Sequence, residues 1–364
     1  VVGCGLIAQV MHLPYLAELR DRFELAALCD ISPEVLGACA AQYGVSRTFT
    51  RWEDLIEEPL DAVLVLTPGS HAPVATAAAQ AGRHVFCEKP LCVSVAEGRE
   101  LLNAAERAGV CLMVGTMKRY DPAYERLLEL HRTLDDLRLV RVTTLESPLG
   151  PYVAHYGVKT GSDVPKGLLD ELAADDEARV RTAIGEPEEE TRNAYRWVLL
   201  DCLVHELNAL RGVLGEPAAV THASLSTACV SINFTFDGVP VHLSWVDLPG
   251  IAHYRQEFAF YAPQRRVTLV LPSPFLRSMP SEVIIEEGEP GGFPASRTVE
   301  VNGYEEAFKR ELIEFSDCIA TGREPRTPGI DGLRDIALCE AIVRAHVSGA
   351  PVTEPTALEM EVRT

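Results

Sequence analysis

Basic residues are scarce in this chain. Lysine and arginine total 33 against 53 aspartates and glutamates, a formal net charge of −20. A protein that grips DNA or RNA needs a basic surface, so the charge argues against a nucleic-acid partner. The same imbalance favours solubility. Long apolar runs are missing too: none approaches the roughly 18 residues that span a bilayer. No basic-then-apolar leader opens the chain, so the expectation is a cytoplasmic protein with no membrane partner. Ten cysteines are present, but no two form a C-x-x-C pair. Scattered through apolar segments, they read as buried thiols, not disulfides or a zinc site, and no metal is expected. There is no internal repeat, and no biased tract apart from one acidic stretch.

What is present fits two domains. The chain has 364 residues, 47% apolar and 24% charged, enough for a sizeable core. It opens Val1-Val2-Gly3-Cys4-Gly5-Leu6-Ile7-Ala8, a G-x-G-x-x-A turn. Two residues are few for the strand that precedes such a turn, so a native start upstream is expected. Residues 6–20 read as a helix that Pro14 kinks or divides. Leu25–Cys29 reads as a strand closed by Asp30. Glycines let backbone approach a pyrophosphate at a helix amino terminus, and an acid about twenty residues on accepts the ribose hydroxyls. A carboxylate at Asp30 repels a 2′-phosphate, and Ile31-Ser32-Pro33 brings no cation to hold one. NAD is therefore expected over NADP.

The alternation continues. A strand over 61–66 ends in Thr67-Pro68-Gly69-Ser70-His71, and an alanine-rich helix follows to Gly82. His84–Cys87 is a further strand, running into Glu88-Lys89-Pro90. A lysine at the carboxyl end of a parallel strand stands where open α/β sheets bind ligands, and a Lys–Pro bond can be cis at low cost. A helix over 94–108 carries a capping box, Ser94 with Glu97, before a strand over 110–115. Repeated βα units imply a parallel sheet covered on both faces.

Taken together, G-x-G-x-x-A, Asp30, Thr67-Pro68-x-x-His71, Ala81-Gly82-Arg83-His84-Val85 and Glu88-Lys89-Pro90 resemble the Gfo/Idh/MocA oxidoreductases, closely over about the first 120 residues. The resemblance implies an α/β Rossmann-type dinucleotide-binding domain over 1–120. An α+β domain with a large, mainly antiparallel open sheet would span 121–364, its terminal helices free to pack back. It implies cofactor contacts from Gly3, Gly5, Leu6, Ile7, Asp30, Thr67, Pro68, His71, Glu88 and Lys89. Lys89 would reach both nicotinamide ribose and substrate. It also implies a homodimer or homotetramer through the open sheet face.

In the second half, Arg119-Tyr120-Asp121-Pro122 resembles the family's domain junction, and the polar, aromatic stretch 148–160 holds Tyr152, His155 and Tyr156. The family's matching segment lines the substrate pocket; a surface loop is the plain alternative. Substrate contacts are expected from Arg119, Tyr152, His155, Tyr156, Lys89, Asp201 and His205. Residues 168–190 are acidic and longer than is typical of the family, and read as a solvated, peripheral helix. Asp201 and His205 are four apart on a helical pattern ending at Gly215. They match a D-x-x-x-H that the family sets facing the nicotinamide, with Leu203 where glycine is common. Six strand patterns fill 219–286, with Asp237-Gly238 a hairpin turn.

The expected chemistry is hydride transfer between NAD and a secondary alcohol or ketone of a sugar-like polyol. His205 would be the base or acid, near pKa 6.5 unperturbed. Asp201 would be its orienter, and Lys89 the alkoxide stabiliser. A reductase of imines or enones, and a non-catalytic NAD-binding sensor, remain open on the same fold.

Overall fold

The computed structural model describes residues 1–358. The chain divides into two compact units. The first comprises Val1–Met117, Val153–Gly185 and Phe308–Ile336; the second takes Lys118–Tyr152, Glu186–Ala307 and the chain from Ala337 onward. A boundary near residue 120 is thus the first of several crossings. Residues 153–185 return to the first unit, and so does much of the terminal helical region.

In the first unit, strands β1 (Ala27–Cys29), β2 (Arg47–Phe49), β3 (Ala62–Val65), β4 (His84–Glu88) and β5 (Leu112–Gly115) all pair in parallel. Val2 bridges Cys29 on one side and Val65 on the other, which joins the groups β2-β1 and β3-β4-β5. The residues of β1 and β5 are buried throughout. That is the mark of a parallel sheet covered on both faces. The helix Val95–Ala108 begins with the expected capping box: Ser94 Oγ accepts from the Glu97 amide, and Glu97 Oε1 accepts from the Ser94 amide.

The stretch after the glycine turn departs from the single α-helix of the sequence pattern. A wider π-helical segment, Ala8–His12, runs into an α-helix, Leu13–Glu18. Pro14 falls in that helix's first turn, directly after the change of winding. The acidic stretch is helical over Lys166–Ile184, and Val180 is its one buried residue among those described. The helix is nonetheless tied down, because Arg179 pairs with Glu97 at 2.6 Å.

The second unit is built on a sheet of nine strands. They are β6 (Leu139–Glu146), β7 (Ala219–Leu225), β8 (Cys229–Phe236), β9 (Val239–Asp247), β10 (Arg255–Tyr261), β11 (Arg265–Leu271), β12 (Glu282–Gly288), β13 (Ala295–Val301) and β14 (Val352–Thr353). Their order is β13-β12-β11-β10-β6-β9-β8-β7-β14, antiparallel except for β6 against β9. Asp237 and Gly238 both have positive φ, 44° and 81°, as a tight hairpin turn demands. Strand β13 left no alternation in the sequence because its side chains are exposed at nearly every position.

One carboxyl in this unit is set against its own ionisation. Burial pushes Glu306 up to about 7; the Ser278 amide and Arg277 oppose the rise, and Asp121 adds to it. Between the ordinary value of 4.5 and about 7, the folded chain holds a proton that the unfolded chain has lost. Stability therefore falls as pH rises through that window and stays lost above it. Glu306→Gln should gain about 2 kcal/mol near pH 8 and little near pH 4.5. Urea denaturation at both pH values checks this; an equal gain at both would rule out the buried carboxylate as its cause.

Candidate active site

The glycine turn forms because only glycine fits. Gly3 has φ +94°, and a Cβ there would stand 2.7 Å from the Leu66 carbonyl carbon and 2.8 Å from the Thr67 amide nitrogen. Its own amide donates to the Cys29 carbonyl at 2.9 Å. Gly3 thereby packs the ends of β1 and β3 together. Gly5 differs: it is exposed, and a Cβ on it would meet nothing within 4 Å. Leu6 and Ile7 follow, half-buried. Asp30 is fixed by backbone alone, its Oδ2 accepting from the Cys4 amide and its Oδ1 from the Ser32 amide, each at 2.8 Å. Two carboxylate oxygens held this way keep lone pairs for two vicinal hydroxyls. The residues fit a dinucleotide: backbone that a pyrophosphate can approach at Gly5, and an oriented acid for the ribose.

At the end of β4, Glu88 is buried and Lys89 half-buried. Glu88 Oε1 lies 2.6 Å from His12 Nε2, and its Oε2 accepts from the Lys89 amide at 3.1 Å. Burial raises the Glu88 carboxyl, but the bond and charge of His12 outweigh it and hold it below the usual range. The Lys89–Pro90 bond is cis. The Pro90 carbonyl accepts from His71 Nδ1 at 2.6 Å, and burial lowers the His71 pKa. Thr67 is half-buried, while Pro68 is exposed on the loop before His71. Glu311 joins His12 and Glu88, their oxygen and nitrogen atoms lying within 4.8 Å of one another. His12 and Glu311, the neighbours of Glu88, were invisible in the sequence. His12 sits in an apolar run, and Glu311 is over two hundred residues away.

In the second unit, Asp201 lies in a π-helical segment, Ala194–Leu203, and His205 in the α-helix Val204–Leu214 that continues it. A regular α-helix was expected across both. The change of winding falls at Leu203, where the resembled family often has glycine. Asp201 is exposed and His205 half-buried. The next residue, Glu206, is buried and accepts from Thr144 Oγ1 at 2.6 Å and from Gln256 Nε2. Lys118 Nζ approaches it to 3.7 Å, itself buried. Burial pushes the neighbouring Glu146 carboxyl up, and the Tyr254 hydroxyl well up.

Arg119 packs on the same helix. Its Nη1 donates to Asn208 at 3.4 Å, its guanidinium lies 5.9 Å from the Tyr124 ring centre, and any Cβ on Gly212 would strike it. Tyr152 Oη accepts from the Tyr254 amide at 2.7 Å. His155 and Tyr156 stack on each other at 4.0 Å and belong to the first unit, unlike Tyr152.

Residues 1–116 match the family model described as "Oxidoreductase family, NAD-binding Rossmann fold". Inositol 2-dehydrogenase 3 of Saccharopolyspora erythraea is 28% identical over 363 residues, covering 99% of this chain and 95% of that protein. The family match places residues 1–116 with the Gfo/Idh/MocA oxidoreductases. Its fold is similar to an aldose–aldose oxidoreductase from Caulobacter crescentus complexed with glycerol, with TM-score 0.71, 25% identity and coverage of 97% and 98%. It also resembles levoglucosan dehydrogenase in complex with NADH, with TM-score 0.73, 19% identity and coverage of 97% of each chain.

The two turn glycines should separate stability from binding. Gly3→Ala forces a left-handed residue against backbone and should cost at least about 2 kcal/mol. Gly5→Ala should melt with the wild type yet bind dinucleotide more weakly, because its methyl group occupies the approach. Thermal melts and calorimetric titration with NAD test the contrast. Wild-type stability in Gly3→Ala would contradict the packing described.

Proposed function

We propose that the protein is an NAD-dependent dehydrogenase acting on a secondary alcohol of a sugar, polyol or glycoside, or on the matching ketone. The observation that carries this is Lys89 at the carboxyl end of β4, with Glu88 pinned by His12, in the same unit as the Gly3 turn and Asp30. The inositol dehydrogenase relative, similar along nearly its whole length, supports the substrate class. Asp30 supports NAD over NADP, since a fixed carboxylate accepts ribose hydroxyls and repels a 2′-phosphate.

When bound, the nicotinamide supplies the acceptor or donor of hydride. Gly3, Gly5, Leu6 and Ile7 form the turn that receives the dinucleotide, and Thr67, Pro68 and His71 hold the loop beside it. The Lys89 ammonium stabilises negative charge on the substrate oxygen as its proton leaves. His205 takes that proton in oxidation and returns it in reduction. Asp201 orients the imidazole. Tyr152 and Arg119, in the unit of His205, and His155 and Tyr156, in the unit of Lys89, are the specificity residues of this reading, Arg119 through the helix it packs on. Association through the open face of the nine-stranded sheet, as a homodimer or homotetramer, belongs to the same reading.

The test is kcat/KM for NAD reduction against pH on a panel of inositols, aldoses and glycosides. The wild type should rise with pH as the base becomes neutral. His205→Ala should lose the rise, and Lys89→Met should lose at least about a hundredfold in turnover. Asp201→Asn and His205→Ala together should cost little more than His205→Ala alone, because both serve one proton transfer. An inflection that survives in His205→Ala, or losses that add in full, would overturn the assignment.

A further inference from the structure

The segment before the acidic helix is bound to the loops that the dinucleotide reading assigns to the adenosine end. Gln9 pairs with the Lys159 backbone in both directions: its Nε2 donates to the Lys159 carbonyl at 2.9 Å, and its Oε1 accepts from the Lys159 amide at 2.8 Å. The same Nε2 donates to the Cys4 carbonyl at 2.8 Å, inside the glycine turn. Four residues on, Asp163 clasps the turn that follows Asp30. Its Oδ1 accepts from Ser32 Oγ at 2.5 Å and its Oδ2 from the Glu34 amide at 2.7 Å. Gly161 permits this closeness, for a Cβ on it would lie 2.1 Å from Ser32 Oγ.

We propose that Asp163 is a further determinant of cofactor choice, occupying with its own carboxylate the hydroxyl and amide that a 2′-phosphate would use. The inference rests on the reading of Asp30 as the ribose-binding acid. A 2′-phosphate belongs beside the residue that takes the 2′-hydroxyl. The donors available there are those just past Asp30, at Ser32 and at the start of the helix Pro33–Tyr43, whose amino terminus favours an anion. Asp163 already satisfies them. The Ser32 hydroxyl and then the Glu34 amide hold its carboxyl below the usual range, so it is charged at neutral pH. With Asp30 and Glu34 it makes three carboxylates around one turn. The sequence pattern gave Asp30 sole charge of cofactor choice; the fold brings a second acid from 133 residues further along the chain.

The experiment is calorimetric titration of NAD and NADP into the full chain, for wild type, Asp163→Ala, Asp163→Asn and Gly161→Ala, with thermal melts to verify folding. The wild type should prefer NAD by at least about tenfold. Asp163→Ala should lower the ratio of NADP to NAD dissociation constants at least about fivefold, through tighter NADP binding. Asp163→Asn, which removes the charge but keeps the shape, should move it the same way. Gly161→Ala, which lifts the segment from Ser32, should do so too. A wild type that prefers NADP would remove the reading of Asp30 and this inference with it. Preference for NAD with a ratio unmoved in the Asp163 variants would overturn the role of Asp163 alone and leave Asp30 standing. Equal weakening of both nucleotides would also overturn it, since it marks a merely structural clasp.

Discussion

The first unit depends on the close approach of backbone at Gly3. Its left-handed conformation and missing side chain let the turn press on Leu66 and Thr67 while its amide bonds Cys29. Three consequences follow from that one contact. Val2 pairs with strands on both sides. The next amide, at Cys4, points at Asp30 and fixes its carboxylate. The loop from Thr67 to His71 is held at the end of β3. A side chain at position 3 would open all of these at once, whereas one at position 5 would meet nothing within 4 Å.

Charge is managed differently in the two units. Around β4, a buried glutamate is bonded to a buried histidine, and the glutamate also takes the backbone amide of Lys89. Removing one partner of such a pair leaves the other charge stranded, which costs far more than the pair contributes. In the second unit, Glu206 collects bonds from Thr144 and Gln256, with Lys118 nearby. That cluster lies directly beneath His205 in sequence and links the helix to β6 and β10. It is a rigid mount in the sense that every partner is itself buried.

Much of the fold was legible in the sequence because its signals are local. The parallel strands β1, β3, β4 and β5 are mostly short apolar runs, the capping box is a four-residue pattern, and the six alternating patterns over 219–286 fall on β7 to β12. The turn glycines and Asp30 were legible for the same reason, as spacing along one stretch. What escaped was of two kinds. Strand β13 has no buried face, so nothing in it alternates. The π-helical segments at Ala8–His12 and Ala194–Leu203 keep a helical apolar pattern and betray no change of winding. Around the site, the missing residues are partners distant in the chain: His12 for Glu88, Asp163 for Ser32, Gln256 for Glu206. No periodicity reports a contact between segments fifty or more residues apart. The return of residues 153–185 to the first unit is of that kind.

The central claim is direct hydride transfer from a substrate carbon to the nicotinamide. The most direct measurement uses a polyol deuterated at the secondary carbinol carbon, turned over with NAD, and mass spectrometry of the reduced cofactor. The account predicts one deuterium at nicotinamide C4 and none exchanged with solvent. Unlabelled NADH, with the deuterium released to water, would contradict it.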